Sequence, residues 1–386
     1  MTALRRRWDI FCKVVDNFGD AGVSWRLARQ LAAEHGVDAT LWLDQVAALA
    51  RIAPGVVPDA AVQQSRGVTV RHWTDPLPAA TPADVVVEAF GCGLPEAYVT
   101  AMAARPGPPA WFVLEYLSAE PWVGETHGLA SPHPRLPLAR RFWFPGFTAG
   151  TGGLLRERDL FAQRDAFRAD ARAQAALWTS LGVPEPAAAE IRLSLFCYPN
   201  RVLPELLDAW ADGEPTVVGL VPEGVATGAL DAWAGGRVPH AGGAPLARGR
   251  LRLHTIPFVG QDDYDRLLWA CDLNFVRGED SIVRAQWAAR PFVWQIYPQA
   301  EGVHLGKLAA FLDRYTAALD PMAAAAVRRF MGAWNADPGA GGIGPAWLEI
   351  DAARPHLSSH APKWAASLAG VPDLATGLVN AAGGRV

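Results

Sequence analysis

Short apolar runs that end in a glycine-bearing turn and reopen as a helix constrain this chain more than any other feature. The clearest lies between Cys271 and Arg290, CDLNFVRGEDSIVRAQWAAR. Leu273 to Val276 reads as a buried strand. From Ile282 a helix follows, with Ile282, Ala285, Gln286 and Ala289 along one face. Arg277, Gly278, Glu279, Asp280 and Ser281 fill the turn. Gly278 lets a bound group approach the backbone, and Asp280 or Ser281 can cap the helix. Such a turn offers free N–H groups and the positive end of the helix dipole, which together make an anion site. Arg277 adds a cation, whereas Glu279 and Asp280 would repel a bare phosphate. A nucleotide carrying a sugar satisfies both, with phosphates on Arg277 and the amides and hydroxyls on the carboxylates. The same residues also suit an ordinary βα turn, with Asp280 as cap and Arg277 in a surface ion pair.

The pattern recurs along the chain. Trp8 to Val15 reads as a strand and Asp16 to Gly22 as a loop. A helix then runs from about Val23 to His35 and stops at Gly36, and Val37 to Leu43 is the next strand. A βαβ opening implies a parallel sheet with a ligand crevice at the carboxyl ends of its strands. Asp16 and Asp20 fall in that crevice. On residue type alone, Asp20 caps the helix and Asp16 starts an Asx turn. Val68 to His72, Asp84 to Ala89 and Trp111 to Leu114 continue the strands, the last ending in the polar run Glu115 to Glu120. Phe90 to Glu96 imitates a GxGxxG fingerprint but places Glu96 at the third glycine, where a side chain blocks helix–strand packing. A hydride-transferring dehydrogenase is therefore disfavoured. Thr148 to Gly153 reads as a surface turn or a ligand-approaching loop, and Leu160 to Leu181 as one connecting helix.

Further βα units follow at Glu190 to Phe196, Thr216 to Val221, Leu251 to Ile256 and Phe292 to Ile296. Phe258 and Gln261 follow a strand and so sit at a carboxyl end. Asp262, Asp263 and Asp265 open a helix, where dipole pairing explains them more simply than a metal. From Thr316 the chain is helical and Ala-rich, with a Gly/Pro break from Asp337 to Pro345.

With 386 residues the chain can build two cores. Domains are expected at 1–165 and 189–355, joined by 166–188, with 356–386 able to return to the first. No apolar run reaches the ~20 residues that span a bilayer. The basic start MTALRRRWDIFCKVVD is interrupted by Asp9 and Lys13 and does not read as a signal peptide. Cys12, Cys92, Cys197 and Cys271 form no CxxC pair, and the histidines show no HExxH spacing, so no metal site or disulfide framework is expected. A net charge of −4 argues against nucleic acid as a partner. The expected compartment is the cytoplasm, with no membrane contact.

Six segments carry a family resemblance. DNFGDAGVSWRLARQL, VVVEAFGCGLPEAY, LEYLSAEPWVGETHGL, FPGFTAGTGGLLRE, SLFCYPN and IPFVGQDDYDRLLWACDLNFVRGEDS resemble the elongation factor P arginine rhamnosyltransferases. That resemblance implies an α/β protein of GT-B architecture, two Rossmann-like domains facing across a cleft. It implies inverting, metal-independent transfer of L-rhamnose from dTDP-β-L-rhamnose to an arginine side chain of translation elongation factor P, with no cofactor beyond the donor. By the same resemblance Asp20 is the general base and Asp16 orients it. Phe196, Tyr198, Phe258 and Tyr297 would face thymine and ribose, and Gln261 would hydrogen-bond base or ribose. Arg277, Asp280 and Ser281 would hold diphosphate and sugar, with Glu279 on hydroxyls or orienting Arg277. Two other readings stay open: a GT-B transferase with another acceptor, and a nucleotide-binding module without catalysis.

Overall fold

The computed structural model describes residues 6–16, 18–337 and 339–383. Residues 1–5 of the basic start, Asn17 of the first loop, Pro338 of the Gly/Pro break and residues 384–386 lie outside the described residues. The chain divides into two compact units, Met1–Arg158 with Leu368–Val386, and Asp159–Ser367.

In the first unit the order is β1 (Arg7–Cys12), α1 (Gly19–His35), β2 (Asp38–Leu43), α2 (Val46–Ile52), β3 (Val62–Ser65), β4 (Val68–His72), β5 (Val85–Ala89), α3 (Glu96–Ala103), β6 (Ala110–Leu114), α4 (Trp122–Thr126), β7 (Ala130–Pro132) and β8 (Ala139–Trp143). The sheet runs β3-β4-β2-β1-β5-β6-β8-β7. Its inner strands are parallel, and β3 and β7 pair antiparallel at the two edges. Without those edges the order is the doubly wound 3-2-1-4-5-6. β5 is buried along its whole length, as a central parallel strand covered on both faces is, and is apolar except for Glu88. Phe11 stacks on Trp42 at 5.4 Å and meets Tyr98 edge-on in the core beneath.

The second unit contains α5 (Leu160–Ala169), α6 (Ala171–Leu181), β9 (Glu190–Leu195), α7 (Leu203–Asp212), β10 (Thr216–Pro222), α8 (Thr227–Ala234), β11 (Leu246–Arg248), β12 (Leu251–Ile256), α9 (Gln261–Ala270), β13 (Leu273–Arg277), α10 (Asp280–Trp287), β14 (Phe292–Gln295), α11 (Val303–Tyr315), α12 (Pro321–Trp334) and most of α13 (Ile343–Ala369). Its sheet is β11-β12-β10-β9-β13-β14. Apart from the antiparallel β11 edge, this is the parallel order 3-2-1-4-5. Trp210, Phe275, Trp334 and Trp347 fill its core through edge-on ring contacts.

A final helix, α14 (Leu374–Gly383), belongs to the first unit. The Leu374 N–H donates to the Leu154 carbonyl at 3.0 Å, and Gln30 Nε2 donates to both Asp373 Oδ1 and the Arg156 carbonyl.

Several local expectations change. The single helix read from Leu160 to Leu181 is two, because Asp170 takes an extended conformation and caps α6 through the N–H groups of Arg172 and Ala173. Segment 166–188 therefore lies in the second unit as the end of α5, α6 and a short lead into β9. α1 starts at Gly19 rather than Val23, and its stop at Gly36 has the left-handed conformation that glycine supplies, φ 62°. The run Thr148–Gly153 is exposed at Ala149 and Gly150 and buried at Gly152 and Gly153. A Cβ at Gly152 would lie 2.5 Å from Trp143 Nε1, and one at Gly153 would lie 2.1 Å from the Pro372 carbonyl.

Candidate active site

A doubly wound sheet opens a crevice where strand order reverses, outside the carboxyl ends of the two strands concerned. In the first unit those strands are β1 and β5, and in the second they are β9 and β13. Asp16 and Asp20 follow β1. Phe196 and Tyr198 follow β9, and Arg277 ends β13. Most of the predicted site residues thus stand at one of two switch points.

In the first unit Asp20 lies in the first turn of α1 but does not cap it. The N-cap is Phe18, with no side-chain capping bond. Instead Asp20 Oδ2 accepts from the N–H groups of Val15, at 2.8 Å, and Asp16, at 2.9 Å. These amides precede the helix, so the carboxylate folds the loop back on itself. Asp20 is 3% exposed, while Asp16 is half-buried. Burial pushes the Asp20 carboxyl above its ordinary range; the two amide donors oppose this, and the Asp16 and Asp44 carboxylates reinforce it. Gly19 is tightly placed, since a Cβ there would lie 2.7 Å from Asp16 Oδ2.

The FGCGLPEAY segment ends β5 on the other side of that switch point, with Phe90, Gly91 and Gly93 at positive φ. The Gly93 N–H donates to buried Glu88 rather than lining a dinucleotide turn, and α3 begins at Glu96.

In the second unit the Arg277 guanidinium carbon lies 4.3 Å from the Phe196 ring centroid and 4.6 Å from that of Tyr198. Its Nη1 donates to the Cys197 carbonyl at 2.9 Å. The next N–H, that of Tyr198, donates to Gln295 Oε1 at 2.9 Å. Two aromatic pairs extend outward: Phe196 meets Phe258 at 6.3 Å, and Tyr198 meets the half-exposed Tyr297 at 5.5 Å, both edge-on. Tyr264 also packs on Phe196, at 5.7 Å.

The turn after β13 differs from its sequence reading in one respect. Asp280 is the first residue of α10, not its cap; the N-cap is Glu279, with no side-chain capping bond. Asp280 Oδ2 instead accepts from Gln261 Nε2 at 3.0 Å. Ser281 Oγ accepts from the Arg277 N–H at 3.0 Å and donates to the Arg277 carbonyl, which closes the turn. Gly278 takes φ 62°, its carbonyl accepting from Trp294 Nε1. Arg277 ends β13, and α10 begins three residues later at Asp280.

A cavity of about 980 Å3 opens beside this cluster. Its walls include Cys197, Arg201, Arg277, Gln295, His304 and Asn335. Of the predicted set only Arg277 lines it. The buried Cys197 thiol is pushed up to about 12 by burial, with Arg277 pulling slightly the other way, so it is a poor nucleophile. Asp263 pairs with Arg266 at 2.7 Å, and Asp265 pairs with Arg284. Among the described residues no group of three or more His, Cys, Asp or Glu side chains is arranged to hold a metal ion.

The family model of Elongation-Factor P (EF-P) rhamnosyltransferase EarP matches residues 8–382. The chain belongs to this family.

EarP-family relatives described as protein-arginine rhamnosyltransferase include that of Pseudomonas putida, 50% identical over 377 residues and 98% of both chains. That of Pseudomonas aeruginosa is 48% identical, over 97% of this chain and 98% of its own. The Neisseria meningitidis serogroup B protein is 40% identical, over 83% of this chain and 81% of its own. A solved structure reported as the basis for EarP-mediated arginine glycosylation of translation elongation factor EF-P superposes with TM-score 0.69. It is 37% identical, covering 97% of this chain and 98% of that one. A Rickettsia africae glycosyltransferase, 8% identical at TM-score 0.51, shares the fold alone. This EarP-family chain is thus a glycosyltransferase built from two Rossmann-like α/β units of GT-B type.

Sequence reasoning passed over Gln295, Tyr264 and Arg284, and read Asp265 as a partner of the helix dipole rather than of Arg284. For Gln295 and Arg284 the available signal was a polar residue inside a segment otherwise read as apolar, at the end of FVWQ and within IVRAQW.

Proposed function

We propose that this chain transfers L-rhamnose from dTDP-β-L-rhamnose to one arginine side chain of translation elongation factor P, with inversion at the anomeric carbon and without a metal. The observation that supports this most is the family match from residue 8 to 382, which takes in both the Asp20 loop and the Arg277 turn. Arg277 and the N-terminal amides of α10 would hold the diphosphate and stabilise it as it leaves. Asp280, Ser281 and Glu279 would serve the sugar and phosphate end. Phe196, Tyr198, Phe258 and Tyr297 would supply apolar surface to thymine and ribose, and Gln261 a polar contact.

An arginine nitrogen is a weak nucleophile because its lone pairs are delocalised and the group stays protonated. A carboxylate that holds the guanidinium and takes a proton as the C–N bond forms removes that obstacle. Asp20 suits the part, since its raised proton affinity makes it a stronger base than a solvated aspartate. Asp16, whose own N–H binds Asp20, would orient it.

Intact-mass measurement of elongation factor P after incubation with the chain and dTDP-rhamnose tests the proposal. The expected result is one added deoxyhexose, lost when the target arginine is replaced by lysine. Unmodified elongation factor P beside sugar on another acceptor would overturn the acceptor assignment. Binding of dTDP with no transfer to any acceptor would overturn the catalytic one.

A further inference from the structure

α9 and α10 are joined by two polar rungs that repeat one helical turn apart. Gln261 Nε2 donates to Asp280 Oδ2 at 3.0 Å. Four residues on in each helix, Arg284 Nε donates to Asp265 Oδ1 at 3.0 Å and Arg284 Nη2 to Asp265 Oδ2 at 2.7 Å. The first rung stands at the carboxyl ends of β12 and β13, beside the Arg277 turn. The second is withdrawn from solvent, its side chains 2% and 7% exposed.

We infer that Asp265 and Arg284 are positioning residues for donor binding, fixing the register of α9 against α10 so that Gln261 and the α10 N-terminus meet the nucleotide as one surface. The inference rests on the donor reading above.

A buried ion pair is weak evidence for stability, because desolvation offsets most of the attraction and apolar residues of similar volume commonly serve as well. What a planar guanidinium on a carboxylate provides is direction: two parallel N–H···O bonds tolerate little sliding or rotation. Apolar packing tolerates both. Slipping one helix by one residue moves its side chains about 1.5 Å along the axis and about 100° around it, which separates Gln261 from Asp280. The lower rung excludes that slip. It does so where the upper rung borders the turn carrying Arg277 and Ser281, whose main chain and hydroxyl are hydrogen-bonded together. Neither Asp265 nor Arg284 needs to touch the nucleotide for this.

The test removes both charges at once, so that no lone ion is left buried. The Asp265→Leu/Arg284→Met variant is expected to melt within a few degrees of the parent, yet to bind dTDP roughly tenfold more weakly by calorimetric titration. Donor KM should rise by a similar factor with kcat largely kept, a split that general destabilisation does not produce. Gln261→Ala should weaken dTDP binding in the parent and add little in the double variant, because the rung it removes is already out of register. A folded double variant with parent dTDP affinity, or full additivity with Gln261→Ala, overturns the inference. If the double variant does not fold, Arg284→Lys decides, since it keeps the charge and loses the fork: a several-fold weaker dTDP affinity supports the inference, and an unchanged one overturns it. A parent chain that binds no dTDP sinks the donor reading together with this inference, whereas the other contrary results sink the inference alone.

Discussion

The Arg277 guanidinium and the Gln295 carboxamide hold opposite edges of one peptide unit. Arg277 Nη1 donates to the Cys197 carbonyl, and Gln295 Oε1 accepts from the N–H of Tyr198, each at 2.9 Å. The two side chains end adjacent parallel strands, β13 and β14. Between them they set the loop that carries Phe196 and Tyr198, and those rings in turn flank Arg277. These contacts fix the position of the cation.

Arg277→Ala should weaken binding of dTDP and dTDP-rhamnose alike by about 10- to 150-fold, the equivalent of roughly 1.5–3 kcal/mol for a hydrogen bond to a charged group. Arg277→Lys should recover only part, because an ammonium keeps the charge and loses the planar fork. Gln295→Leu should cost less, about 1 kcal/mol or about fivefold, through the loop it no longer holds. Calorimetric titration with dTDP measures all three, and unchanged affinity in the alanine variant would remove the diphosphate from this turn.

Asp20→Asn should abolish transfer and leave dTDP binding within a few fold, because the residue lies in the first unit and the donor is assigned to the second. Folding should survive. The folded-state carboxyl is shifted upward, so whatever stability it carries is present below the unfolded range and is lost as pH rises through the shifted value. An uncharged amide escapes that loss, and the variant should melt no lower than the parent at neutral pH. Near-normal turnover would take Asp20 out of the mechanism.

The acid limb of kcat/KM should lie above the ordinary carboxylate range, with activity falling as pH drops through it. Asp16→Asn should carry that limb to lower pH, since the Asp16 charge is among the groups that raise Asp20. A pH–rate profile of both proteins on one set of buffers reads the shift; an unmoved or oppositely moved limb would contradict it.

Transfer should persist after exhaustive treatment with EDTA. Two of the aspartates in the DDYD run are engaged by arginines, Asp263 by Arg266 and Asp265 by Arg284. Activity lost on chelation and restored by Mg2+ or Mn2+ would make that run a metal site after all.

Much of this was legible because the governing signals are local. An apolar run, a glycine and an amphipathic segment announced β13, its turn and α10, and β1 with the Asp20 loop was equally plain. What escaped depends on partners far away or on conformations that residue type does not dictate. Asp20 and Asp280 both sit where an aspartate usually caps a helix, yet neither does: one binds the amides before its helix, the other a glutamine from α9. β3 and β7 are short antiparallel edges with largely exposed side chains, so no apolar run marks them. α10 is buried from Ser281 to Trp287, so reading one apolar face hid Arg284.

Gly153→Ala should destabilise the first unit. Its φ of 71° costs a side-chain-bearing residue about 1–2 kcal/mol before any contact is considered. The added methyl would then press on the Pro372 carbonyl, 2.1 Å from the ideal Cβ. A melting temperature equal to the parent's would contradict this.

The return of α14 to the first unit has a further consequence for synthesis. Asp159–Ser367 is one uninterrupted stretch, whereas the unit that flanks it is encoded in two pieces. On the ribosome the inserted unit can emerge and close as soon as its own residues are out, while its host still lacks Asp373 for Gln30 and Leu374 for Leu154. The sheet of the first unit is out early, but its contacts with α14 wait for the last residues, so the part begun first is completed last.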